Sequence, residues 1–283
     1  MQVEKPDIII VMTDSTPPCR IAVLAGRLDS IPSLLLLLSG MIGRNYQSPS
    51  FIVDKIAVPG EFAREVLEKC GVDKEKLVVT GYPSYDVLVK AEEHFKKNEI
   101  CKKLGLDPAR KIVVYTTENL PARESKIVTR AVCTAVKSLQ NIQFIIKVHP
   151  SELDLSTYRH VTRDLELDAL ITRHADIYEV LYACDALITG FSATALDAMI
   201  LQKPVITINL TGLADPLSFA ESGAAIGVNS EGDLEGELEK VLYNKELQEK
   251  LRRGREAFVF KHAYKLDGES TERVVTLVEK ISK

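Results

Sequence analysis

The sequence has no Cys-x-x-Cys pair, no marked excess of either charge and no apolar run long enough to span a bilayer. Its five cysteines, Cys19, Cys70, Cys101, Cys133 and Cys184, are scattered and odd in number, which argues against a zinc knuckle or a dithiol redox motif. Free thiols in a reducing cytoplasm are the simplest reading. A formal net charge of −4 gives no basic face for nucleic acid, though it leaves room for a local basic pocket. The run "IPSLLLLLSGMIG" (31–43) falls short of the roughly 20 apolar residues a spanning helix needs. No signal peptide is visible ahead of the strand-like "DIIIVMT" (7–13).

Several motifs are missing too. There is no Gly-x-x-x-x-Gly-Lys-Ser/Thr loop and no Gly-x-Gly-x-x-Gly after the first strands, so ATPase and ordinary dinucleotide readings drop. "TGFSATA" sets a serine near a strand–helix turn but lacks the second glycine of a nucleophile elbow.

What is present is an alternation of short apolar runs with longer helical patterns. Strands are predicted at 7–13, 33–39, 55–58, 76–80, 111–117, 143–149, 168–172, 186–189, 204–209 and 224–228. Most lack polar alternation, as strands buried on both faces of a parallel sheet do. Helices are predicted at 60–71, 124–139, 175–184, 192–202, 233–258 and 269–283. With 46% hydrophobic residues over 283 positions, this is an α/β architecture with right-handed crossovers and a good core. Gly81 and Pro83 in "TGYPSYD" (80–86) mark a domain seam, giving 1–81 and 82–283. The first part is short for a parallel sheet, and Met1 lies close to a buried strand. It is either a compact subdomain or a domain whose earlier strands are truncated or supplied by another chain. Leu34–Leu38 is a candidate face for a second copy or a membrane surface.

Ligands of open parallel sheets gather beyond the carboxyl ends of the strands. There the sequence places Gly81, Asn119, Lys147 with His149, His174, and Gly190-Phe191-Ser192-Ala193-Thr194. Gly190 can take backbone angles closed to other residues, and Ser192 or Thr194 can cap the helix that follows. The free amides of that first turn then form an anion site, with phosphate the usual guest; the alternative is a serine that only caps. His149 can donate to a phosphate oxygen or serve as an acid, or it can be structural. Lys147 shares its face, or is an edge charge. The loop holding His174 can lay Ile177 or Tyr178 along a flat base, unless Tyr178 is core. Asp197, one turn into the helix, can accept from sugar hydroxyls or simply be solvated.

"TGYPSYD", "IIKVHPSE" (145–152), "ADIYEVLYACDALITGFSATALDAMILQKPVI" (175–206) and "ESGAAIGV" (221–228) together resemble the C-terminal half of GT-B transferases. The similarity is to CDP-glycerol glycerophosphotransferase, capsule-polysaccharide and polysialyltransferase-like enzymes, and more distantly to UDP-N-acetylglucosamine 2-epimerase. The resemblance implies two Rossmann-like parallel-sheet domains, the N-terminal one short or truncated. It implies a nucleotide-activated donor held by the second domain: His149 on the diphosphate, Ser192, Ala193 and Thr194 on the β-phosphate, loop 173–178 on the base, and Asp197 on a sugar hydroxyl. The helix 269–283 would cross back to the first domain. Relatives often carry Gln-His-Gly where this chain has Leu38-Ser39-Gly40; Asp14 is then the candidate base.

The expectation is a cytoplasmic glycosyl- or glycerophospho-transferase for a surface polysaccharide or teichoic-acid-like polymer, docked peripherally at the inner membrane face. It would use a nucleotide-sugar or CDP-glycerol donor and a polymer or lipid-linked acceptor, with no cofactor and no metal. A homodimer or a complementing N-terminal chain is the expected protein partner. The rivals are an epimerase of UDP-N-acetylglucosamine and a non-catalytic nucleotide-sugar-binding subunit.

Overall fold

In the computed structural model, residues 6–38, 51–212 and 217–283 are described. Ser39 and Gly40 lie outside them. The chain divides into two compact units, Met1–Val89 with Val259–Lys283, and Lys90–Phe258.

The first unit holds β1 (Ile9–Val11), α1 (Pro17–Leu28), β2 (Ser33–Leu36), β3 (Lys55–Val58), α2 (Glu61–Lys69), β4 (Leu77–Val79) and α3 (Ser84–Val89). Its four strands pair in chain order, all parallel. One face packs Leu35, Ile56 and Val58 against Val23 of α1 and Leu67 of α2. The other packs Leu34 and Ala57 against Leu277 of α12 (Ser270–Ile281). Leu34, Leu35 and Leu37 are therefore core, and the leucine run is not the exposed docking face that its composition suggested. Ile21, Leu24 and Leu28 instead stay exposed along one side of α1.

The division falls after Val89, beyond the expected seam at Gly81. The reason is a cap made from a distance. Asp86 of α3 accepts from the amides of Ser270 at 2.9 Å and Thr271 at 2.7 Å, closing the first turn of α12. Burial alone would raise this carboxyl; those hydrogen bonds outweigh it and hold the pKa below its ordinary value. Gly81 belongs to the same joint. Its φ is +78°, and a Cβ there would stand 2.4 Å from Ser270 Oγ.

The second unit holds α4 (Ala91–His94), α5 (Lys97–Leu104), β5 (Lys111–Thr116), α6 (Ala122–Ser138), β6 (Ile142–Lys147), α7 (Ser156–Asp164), β7 (Leu170–Thr172), α8 (Ile177–Ala183), β8 (Ala186–Thr189), α9 (Thr194–Ile200), β9 (Val205–Ile208), β10 (Ile226–Val228), α10 (Leu234–Tyr243) and most of α11 (Lys245–Ala263). The strand order is β10-β9-β8-β5-β6-β7, all parallel. Val113, Ile146, Ile188 and Ile206 lie in its main core, packed with Val132 of α6 and Leu238 of α10. Strands covered by helices on both faces need apolar residues at every position, which is why they appear as uninterrupted runs. The helix expected over 233–258 breaks at Asn244, whose Oδ1 accepts from the amide of Leu247 at 3.0 Å and starts a new helix. No described helix is long and apolar enough to cross a membrane.

Candidate functional site

The second sheet has its switch point at β5, which pairs with β6 on one side and β8 on the other. Successive strands run outward in opposite directions from there, so the loops at their carboxyl ends part and leave a crevice. A cavity of about 410 Å³ occupies it. Thr116 and Thr117 line it after β5, Lys147 to Pro150 after β6, Arg173 and Ala175 to Ile177 after β7, and Ser192 and Thr194 after β8.

His149 is held in a defined state. Its amide donates to Thr117 Oγ1 at 2.9 Å. Thr117 in turn donates to Glu152, and Tyr158 donates to the other oxygen of that carboxylate. Tyr158 is fully buried, and its hydroxyl is pushed up to about 12 by burial and then by Glu152. The ring itself is oriented by Ser151, whose amide donates to Nδ1 at 3.2 Å and whose Oγ lies 2.7 Å from the same nitrogen. A nitrogen that accepts from an amide carries no proton, so the neutral ring bears its proton on Nε2.

Lys147 is 6% exposed, and its Nζ donates to the carbonyls of Arg173 at 2.9 Å and Val148 at 3.4 Å. Burial lowers its pKa, with Asp176 opposing. A buried ammonium whose hydrogen bonds go to carbonyls keeps most of its charge available to a ligand. Arg173 adds a second cation and is tied to the same turn through Glu152 O at 3.3 Å. Asp176 caps α8, accepting from Tyr178 N and Glu179 N, which sets the loop that carries Ile177.

The loop after β8 differs from expectation in two ways. Gly190 does not have a positive φ. It lies against Glu118: a Cβ there would stand 2.2 Å from Oε2, the movable end of that side chain. The amides of the turn are also less free than its composition suggested. Phe191 N donates to Glu118, and Thr194 N donates to Ser192 Oγ at 3.3 Å. Ser192 Oγ also receives Thr194 Oγ1 at 3.0 Å, and Thr194 Oγ1 lies 3.1 Å from Thr116 Oγ1. The polarity facing the cavity therefore comes mainly from side chains. Burial raises the pKa of Glu118, while Phe191 N and His149 pull it back.

Of the residues singled out in the sequence, Lys147, His149, Ile177, Ser192 and Thr194 line the cavity. Asn119, His174 and Ala193 are exposed outside its lining, with His174 Nε2 3.5 Å from Arg173 Nη2. Asp197 is half-buried on α9, its carboxyl pushed up to about 7 by burial. Gly81 and Asp14 belong to the first unit. Asp14 is 1% exposed, and its Oδ2 accepts from Ile52 N at 2.7 Å, the geometry of a carboxylate bracing a loop. Sequence reasoning passed over Thr116 and Thr117, met Glu118 and Arg173 only as residues that follow strands, and missed the anchoring role of Glu152. The strand-end rule pointed at each of these loops, but only strand order shows which of their side chains meet.

The chain matches the family described as CDP-Glycerol:Poly(glycerophosphate) glycerophosphotransferase over residues 40–280. A teichoic acid poly(glycerol phosphate) polymerase of Staphylococcus epidermidis is 24% identical over 176 residues, 57% of this chain and 23% of that protein. The wall teichoic acid polymerase TagF, in a crystal soaked with CDPG, superposes with a TM-score of 0.70 at 18% identity, covering 98% of this chain and 73% of that one. UDP-GlcNAc 2-epimerase from Neisseria meningitidis, bound to UDP-GlcNAc, gives 0.72 at 18% identity, covering 99% and 78%. These likenesses show the GT-B fold. The chain spans about a quarter of the length of the staphylococcal polymerase.

Proposed function

Because the chain belongs to the CDP-glycerol:poly(glycerophosphate) glycerophosphotransferase family, we propose that its second unit binds the diphosphate of a CDP-glycerol-type donor in the cavity at the carboxyl edge of the sheet. The observation that carries this reading is the convergence of buried Lys147, Arg173 and the Nε2 donor of His149 on one opening, beside the hydroxyls of Ser192 and Thr194. Cations and neutral donors fixed in a partly dry crevice suit a diphosphate, and Ile177 at the rim suits the face of a base.

In the reaction so proposed, a hydroxyl of the poly(glycerol phosphate) acceptor attacks the donor phosphorus that bears glycerol. The new P–O bond forms as the bridging P–O bond to the nucleotide breaks. The hydroxyl proton goes to a base, and the nucleotide monophosphate leaves with the electron pair. Lys147, Arg173 and His149 offset the charge that grows on that leaving phosphate, and they are in place before it develops.

Calorimetric titration of the whole chain tests the reading. CDP-glycerol and CDP are expected to bind, cytidine at least about tenfold more weakly, and His149→Ala to weaken the diphosphates far more than cytidine. Equal losses for both would remove the phosphate assignment. Tighter binding of UDP-N-acetylglucosamine than of CDP-glycerol would move the reading to the epimerase side.

A further inference from the structure

The opposite, amino edge of the second sheet carries a second cavity, of about 370 Å³, where β8 and β9 begin beside α11. Lys245, Arg252 and Arg255 line it together with Asp185 and Glu249. Both carboxylates are already committed. Asp185 accepts from Lys111 at 2.9 Å, Lys97 at 3.3 Å and the amide of Ile112 at 3.0 Å. Glu249 receives Arg252 at 2.8 Å and Arg253 at 3.0 Å.

Arg255 is left without a counter-ion. It is 4% exposed, and its Nη2 reaches only the carbonyl of Gln202, at 3.3 Å. Its Nε and Nη1 are closed to water and have no partner among the described residues. Burial, and then the like charge of Arg252, pull its pKa down to about 10, with Glu256 opposing. A buried guanidinium with two unmade hydrogen bonds is costly to keep, and native structures seldom leave such donors empty.

We infer that this cavity binds a phosphate-class oxyanion, with Arg255 as the residue that holds it. On binding, the guanidinium turns to set its Nε–H and Nη2–H on two oxygens of the anion, Nη2 leaving the carbonyl of Gln202, the bidentate geometry that arginine favours. Lys245 faces the remaining charge, while Arg252 is already spent on Glu249 and Glu256. Two uncommitted cations beside carboxylates that are already paired suit a dianion better than a singly charged carboxylate ligand. The inference does not depend on the donor reading, because none of these residues lines the carboxyl-edge cavity.

The test uses the whole chain carrying Lys147→Met, which weakens the phosphate affinity of the other cavity by about 10- to 100-fold. Inorganic phosphate, methyl phosphate and acetate are titrated while Tm is followed. Saturable stabilisation by both phosphates, or by inorganic phosphate alone, with little response to acetate, is the expected result; the comparison tells a free phosphate from a phosphomonoester. Adding Arg255→Met should weaken the response by about tenfold or more, and adding Lys245→Ala at the exposed rim by about threefold. An unchanged response in Arg255→Met overturns the inference, as does the absence of saturation or an equal response to acetate. Should Arg255→Met fail to fold, an unchanged response in Lys245→Ala overturns it.

Discussion

The amide of Ser151 donates to Nδ1 of His149 at 3.2 Å, so the imidazole presents Nε2–H rather than a lone pair. Glutamine can set an amide N–H near the Nε2 position, whereas asparagine mimics the Nδ1 side. His149→Gln is therefore expected to keep diphosphate affinity within about tenfold of the parent chain, and His149→Asn to lose as much as His149→Ala. Calorimetry on the three variants decides it. Equal loss in all three would mean that the ring matters for its shape or its positive charge.

Lys147 separates stability from binding. It is a buried cation that donates to carbonyls, so replacing it by methionine removes a desolvated charge without opening a void. Lys147→Met should melt at or above the temperature of the parent chain. It should also lose nucleotide diphosphates by about 10- to 100-fold, roughly 1.4–2.7 kcal/mol. A variant that melts far lower would show the ammonium to be a structural strut.

Glu118 stands over Gly190 with its carboxylate on the amide of Phe191, the kind of donor a phosphate would seek. When ionised it competes with that ligand. Glu118→Gln should bind diphosphates several-fold more tightly at alkaline pH. Because burial raises the carboxyl pKa, the difference should narrow as pH falls and Glu118 takes up a proton in the parent chain. Tighter binding by the parent chain across the whole range would assign Glu118 a supporting contact instead.

Asp197 has its carboxyl raised by burial from 3.8 to about 7. Between those values the folded chain keeps a proton that the unfolded chain releases. Its contribution to stability is then greatest near the lower value, falls as pH rises and levels off above about 7. Asp197→Asn cannot ionise. Its Tm advantage over the parent chain should grow from pH 4 to pH 7 and then stay constant. A flat difference would show the carboxyl to be solvated.

The strands were legible because burial on both faces writes itself as unbroken apolar residues, as in Val113-Val114 and Ile145-Ile146. Helices with polar faces were harder. α1 opens on Pro17-Pro18, which looks like a loop until both prolines are placed in the first turn, where their missing amides cost nothing. α5 and α7 are short and mostly polar, and each buries only two or three residues, Ile100 and Cys101 in α5 and Tyr158, Val161 and Thr162 in α7. At the candidate site, His149 and Lys147 stood out because they end a strand. The braces behind them, Thr117, Glu152 and Tyr158, did not. Their joint role depends on which side chains share two carboxylate oxygens, and spacing along the chain carries no record of that.

The strand order has one more consequence. Thr116 meets Thr189 at 2.8 Å and Thr194 at 3.1 Å, partners more than seventy positions downstream. The crevice floor is thus absent from any nascent or truncated polypeptide until β8 has slotted in beside β5. Occupancy by ligand would report that this late, distant pairing is complete, and a molecule interrupted anywhere before Thr194 would present half a binding wall.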